Sequence, residues 1–170
     1  MNIASAVILC TIVGAVGAIV LVAAAKFMAV EEDPRIEEDA SCLAGVAFSN
    51  SGLGLNHGMA HALGARFHIP HGRANGILLP YVMSFNAGCA EQLTSTAKRY
   101  ARISRLLELE SSSVRQSALN LIRTARRYIE KLNMPSTLQA AGVNAAEFEE
   151  AVHDMACLLY TSPSPRDAHE

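Results

Sequence analysis

From Ser113 onward the apolar residues Val114, Ala118, Leu121, Ile122, Ala125 and Ile129 recur three or four positions apart. That spacing stacks side chains along one face of an α-helix. A helix with such a stripe persists only where other elements cover it, so this segment alone commits the chain to a packed helical core. Its start is marked too. Ser113 with Gln116 fits an S-x-x-Q capping box, in which the hydroxyl accepts from an amide that the first turn leaves unbonded. Asn144 with Glu147 repeats the device in a less typical form, and Val143 and Phe148 stand where a hydrophobic staple would close around it.

Elsewhere Pro and Gly punctuate helical spacing. Pro34, which lacks an amide proton and crowds the preceding turn, ends one segment, and a helix is expected from Ile36 towards Phe48. The turn cluster Ser49-Asn50-Ser51-Gly52 precedes a helix over Leu53 to Gly64. Pro70 and Gly72 mark a loop before a helix over Arg73 to Phe85, and Met134-Pro135-Ser136 marks a bend. Gly54, Gly58 and Gly64 are expected to permit close approach of a neighbouring helix or a ligand. No strand-like alternation of useful length and no internal repeat occur. Trp is absent and aromatic residues make up 5% of the chain, while Ala, Leu and Ile are plentiful. The fold class expected is all-α, a helical bundle preceded by a long apolar helix.

That apolar helix is the uncharged run from Ile3 to Ala25. It matches the roughly 20 residues needed to cross a hydrocarbon core about 30 Å thick, so membrane contact by residues 3–25 is one reading. Against it, no basic region precedes the run and the acidic Glu31, Glu32 and Asp33 follow, so the positive-inside rule gives little orientation. The other reading is a buried helix, or aberrant sequence. At the far end, Cys157 to Asp167 has two X-Pro breaks and no periodicity. It matches the translation of a transposon adapter used in sequencing libraries, so the sequence predicts a disordered, adapter-derived tail over 157–170. Three regions result: 1–35, 36–156 and 157–170.

The formal net charge of −2 gives no electrostatic footprint for nucleic acid. Arg123, Arg126, Arg127 and Lys131 are read as a solvated helical face. Four cysteines without a C-x-x-C pair suggest reduced, mostly buried thiols.

The chemistry is concentrated in the histidines, four of which are His57, His61, His68 and His71. His57 and His61 are one helical turn apart, so both imidazoles lie on one face. His71 follows the loop His68-Ile69-Pro70, where a reversal can return it towards His57. Imidazole is a good ligand for divalent iron and zinc. A zinc-protease helix would need Glu after the first His, and Gly58 stands there instead.

The wider pattern is more specific. Gly52-Leu-Gly-Leu-Asn-His57-Gly-Met-Ala-His61-Ala-Leu-Gly64, Ile69-Pro-His71-Gly-Arg-Ala-Asn75, Leu78-Leu-Pro80 and Phe85-Asn86 resemble the iron-containing (group III) alcohol dehydrogenase family, particularly its lactaldehyde, propanediol and butanol dehydrogenase members. The resemblance covers about Ser41 to Ala156. It implies the helical, carboxy-terminal domain of a cytoplasmic, homodimeric enzyme that interconverts small alcohols and aldehydes or ketones using NAD(P). In that family the metal, Fe²⁺ or Zn²⁺, lies between a nucleotide-binding domain and the helical domain, held by an Asp and three His. His57 and His71 match two of these ligands. His61 matches a further His lining the site beside the nicotinamide, where it contacts the cofactor or relays a proton. Asn75 is placed near the site as a hydrogen-bonding residue, and His68 as a loop residue.

The sequence departs from that pattern in two respects. No Asp-x-x-x-His precedes His57, and the Gly-rich phosphate-binding turn is missing from these residues. With half the ligands and no nicotinamide pocket, the 170 residues alone are expected to be inactive. The alternative readings are a membrane-anchored helical protein that binds metal without catalysis, and a helical interaction module.

Overall fold

The computed structural model describes residues 54–109 and 111–161, with Cys42 and Val46 as single helical positions. Among residues 54–161 five helices follow one another: α1 (Gly54–Phe67), α2 (His71–Ala87), α3 (Ser95–Leu106), α4 (Val114–Lys131) and α5 (Ala145–Thr161). Among the described residues there is no strand, as expected of an all-α chain. The apolar run 3–25 lies outside them. No helix among the described residues is long and apolar enough to cross a membrane. The tail 162–170 lies outside as well, whereas Cys157 to Thr161 continue α5.

Helix α2 is the hub. It packs against α1 on one side and against α3 and α4 on the other, while α5 covers α1. Its Leu79, Met83 and Ala87 join Ala97, Tyr100 and Ile103 of α3 and Ala118, Leu121, Ile122 and Ala125 of α4 in one core cluster. Ala74, Leu78 and Val82 join Ala60, Ala62 and Leu63 of α1, Val143, and Ala151 and Met155 of α5 in a second. Every residue from Ala74 to Pro80 is buried, so α2 has no solvent-facing stripe over these turns. Pro80, inside the helix, leaves the Gly76 carbonyl without its usual intrahelical donor. The Met134 methyl occupies the space beside Gly76, 2.6 Å from where a Cβ would stand.

The caps behave as their side chains dictate. The Ser113 hydroxyl accepts from Gln116 N at 3.1 Å, but the box is half made, because Gln116 Nε2 donates forward to Asn120 Oδ1 at 3.0 Å. Asn144 Oδ1 accepts from Ala146 N at 2.9 Å, and Val143 and Phe148 meet in the second cluster as a staple would. α2 ends on Gly88 at φ 64°, a left-handed cap that favours glycine. Helix α3, not among the helices expected from the sequence, is capped by Thr94, whose side chain accepts from Thr96 N at 3.2 Å. The basic residues Arg123, Arg126, Arg127 and Lys131 are all exposed, with Arg126 stacked over the Tyr81 ring at 5.3 Å.

Candidate metal centre

The histidines sit on the α1–α2 hairpin. α1 ends at Phe67, and His68, in the left-handed region at φ 54°, turns the chain while its N–H donates to Gly64 O at 3.0 Å. Ile69 and Pro70 then lead directly into His71, the first residue of α2. The connection doubles back over α1, for the Ile69 carbonyl lies 3.3 Å from where a Cβ on Gly64 would be. Gly64 therefore provides room for this return of the connecting loop, where the sequence suggested a neighbouring helix or a ligand. Gly54 differs: at φ +68° with open space around it, its requirement is backbone conformation.

The return brings His71 to both histidines of α1. Its ring centroid is 5.1 Å from that of His57 and 4.7 Å from that of His61. His57 is half-buried, while His61 and His71 are exposed, so the cluster has an open side. His68 is exposed at the end of α1 and His153 is exposed on α5. Among the described residues no group of three or more His, Cys, Asp or Glu side chains is arranged to hold a metal ion. Three neighbouring imidazoles supply soft-to-borderline nitrogen donors suited to a first-row divalent cation. The donor chemistry fits, then, and the donor number does not suffice.

Behind the rings lies a polar pair that periodicity does not single out. Asn56 and Asn75 are 0% and 2% exposed, although the other buried residues of their two helices are apolar or small. Asn56 Nδ2 donates to Asn75 Oδ1 at 2.7 Å and to Asn75 O at 3.2 Å. Asn75 Nδ2 donates to His71 O at 3.0 Å and stands 3.0 Å from His71 Nε2. Asn75 thus has the hydrogen-bonding place near the site expected of it. Asn56 was not singled out. The available signal was an amide next to His57 where helical packing would take an apolar residue.

Known proteins carry the same arrangement of sequence and fold. Residues 11–169 match the model of the Fe-containing alcohol dehydrogenase family, C-terminal. The NADPH-dependent butanol dehydrogenase of Clostridium saccharobutylicum is 40% identical over 129 residues, covering 74% of this chain and 32% of that protein. The 1-propanol dehydrogenase PduQ of Salmonella typhimurium is 38% identical over 140 residues, 76% of this chain and 36% of its own length. Among solved structures, an alcohol dehydrogenase from Oenococcus oeni superposes with a TM-score of 0.68 at 27% identity, covering 88% of this chain and 38% of that one. The chain spans about a third of the length of the curated relatives it matches.

Proposed function

The chain belongs to the iron-containing alcohol dehydrogenase family, and from that premise we propose that it forms part of an enzyme interconverting small alcohols and their aldehydes or ketones with NAD(P). The observation that carries the reading is the approach of His71 to both His57 and His61 across one helical hairpin. In this reading His57 and His71 are metal ligands and His61 lines the nicotinamide side of the site. The metal is Fe²⁺, in keeping with the family's description; zinc, which the donors would equally accept, has no support from the relatives. A cytoplasmic homodimer is the assembly the family suggests. The membrane-anchored alternative finds no support in any described helix.

A divalent cation held here would supply Lewis acidity towards a substrate oxygen. The chain's own residues do the holding. His57 and His71 offer nitrogen lone pairs from adjacent helices. His61, one turn beyond His57 and exposed, would hand a proton between the site and solvent in this reading. Two imidazoles fill only half of a tetrahedral sphere. The missing Asp-x-x-x-His and phosphate-binding turn leave these 170 residues short of a catalytic set.

The test uses the full 170-residue chain. Bound iron measured after anaerobic loading is expected to be weak and to fall further in His57→Ala and His71→Ala, with no NAD(P)H formed from butanol or propanediol. Unchanged iron content in both variants would remove the ligand assignment. Turnover of either alcohol would remove the expectation of inactivity.

A further inference from the structure

We infer that the outer edge of α5 is a docking face for α3 of a second copy of this chain, the two helices pairing antiparallel through complementary stripes of charge. His57, His61 and His71 take no part in it.

The formal net charge of −2 conceals a segregation. Residues 95–131 carry nine Lys and Arg against three Asp and Glu, whereas α5 carries Glu147, Glu149, Glu150 and Asp154 and no Lys or Arg. On α3, Lys98, Arg102 and Arg105 recur at intervals of four and three and so share one face, in a helix without an acidic residue. On α5, Glu147, Glu150 and Asp154 recur at intervals of three and four. All six are exposed. Helix α3 turns Ala97, Tyr100 and Ile103 into the core and α5 turns Ala151 and Met155 inward, so both stripes lie off the packed sides. Arg66 of α1 lines a cleft together with Glu150 and Asp154, but its guanidinium stands over the Phe67 ring at 5.9 Å, and one cation beside three carboxylates leaves the sign of the stripe unchanged.

The two spacings match in one direction. The steps from Lys98 to Arg102 to Arg105 rise by about 6 Å and then about 4.5 Å, and so do those from Asp154 to Glu150 to Glu147. An antiparallel crossing therefore sets Lys98 against Asp154, Arg102 against Glu150 and Arg105 against Glu147, while a parallel one leaves the middle pair a residue out of step. Within one chain α5 packs on α1, and α3 on α2 and α4, so the stripes belong to opposite flanks of the bundle. Each copy thus offers one acidic and one basic flank, and a second copy supplies the complement of either. Such a contact is heterologous and adds copies end to end instead of closing a symmetric pair. Exposed ion pairs are individually weak and screened by salt, which makes the contact a transient one.

The test is sedimentation of the full chain over a range of concentrations. In roughly 10 mM NaCl, where the Debye length is about 30 Å, the mean mass should rise with concentration, and in about 1 M, where it is about 3 Å, the chain should be monomeric. Arg102→Glu and Glu150→Arg each set like charges opposite one another and should weaken association at least about 10-fold. Mixed in equal amounts, the two variants should associate again, because every contact between unlike variants regains one acid and one base. Lys98→Glu and Asp154→Lys repeat the exchange at a second pair, and far-UV ellipticity checks that each variant keeps its helices. A chain that stays monomeric in low salt would overturn the inference. So would association indifferent to salt, as contact through the exposed Phe85 would be, association that survives the single variants, or a mixture that does not regain it.

Discussion

The two halves of the bundle solve one problem differently. Where α3 crosses α4, Ser104 Oγ donates to Ser117 O at 2.6 Å, and Ser117 Oγ accepts from Ser111 N at 2.9 Å. Both serines are buried, and the bonds close on backbone atoms. Where α1 crosses α2, the buried asparagine pair ends on the ring of exposed His71. The serine network satisfies its buried hydroxyls, whereas the asparagine pair leaves Asn56 Oδ1 buried without a hydrogen-bond partner. Of the two, the asparagine network alone runs out to an exposed side chain. A buried polar pair that closes on the main chain is scaffolding, while one that terminates on a surface side chain holds that side chain for use.

The contrast can be broken first by truncating the scaffold. Leu121, 1% exposed in the α2–α3–α4 cluster, leaves a cavity when replaced by Ala, and Leu121→Ala should cost about 2–5 kcal/mol in urea unfolding. Since α2 contributes to both clusters, the whole bundle should melt in one step. Separate loss of α3–α4, seen by hydrogen exchange while the α1–α2 amides stay protected, would show the halves to be independent units instead.

A smaller effect concerns Tyr100 in the same half. Burial pushes its hydroxyl up to about 12 from the usual 10.0, against the opposing hydrogen bond with Asn86, and nearby Cys89 adds to the rise. A raised phenol means the folded state keeps a proton the unfolded state has lost, so stability is intact below pH 10 and falls as pH climbs towards 12. The total loss should approach about 3 kcal/mol at 1.36 kcal/mol per pH unit. Tyr100→Phe should flatten most of that slope, with a residue from Tyr128, which burial also raises while Arg127 opposes. An unchanged slope in Tyr100→Phe would remove the assignment.

The smallest expected effect is at the α4 cap. Ser113→Ala removes one acceptor and should cost about 1 kcal/mol by thermal melting, without altering the iron bound after anaerobic loading. A change in iron content would mean that the scaffold half reaches the histidines after all.

The same contrast explains what could be read without coordinates. Helix α4 was legible almost whole because it buries one face, so its apolar residues keep a period of 3.6 that solvent enforces on the other side. α2 buries residues all round from Ala74 to Pro80, which blurs the period there and leaves its flanking Pro and Gly as the clearer markers. α3 carries a stripe of its own, with Ala97, Tyr100 and Ile103 three positions apart, but its Thr94 cap has Ala97 where a capping box would have Glu or Gln, so its start is unmarked. In the site, His57, His61 and the returning His71 followed from helical spacing and a loop. The Asn56–Asn75 bond did not, since a contact across nineteen positions depends on how two helices cross.

The return of Ile69 over Gly64 has a consequence for variation in this hairpin. The link from α1 to α2 consists of His68, Ile69 and Pro70, and each residue adds at most about 3.6 Å of reach. The spacing between the imidazoles is thus written as a length of chain, and the link acts as a ruler. One residue inserted there would slide His71 along α1 by a good part of a helical turn and carry Asn75 away from Asn56. Substitutions around the rings leave that measure intact, so this hairpin should tolerate changes of side chain far better than changes of length.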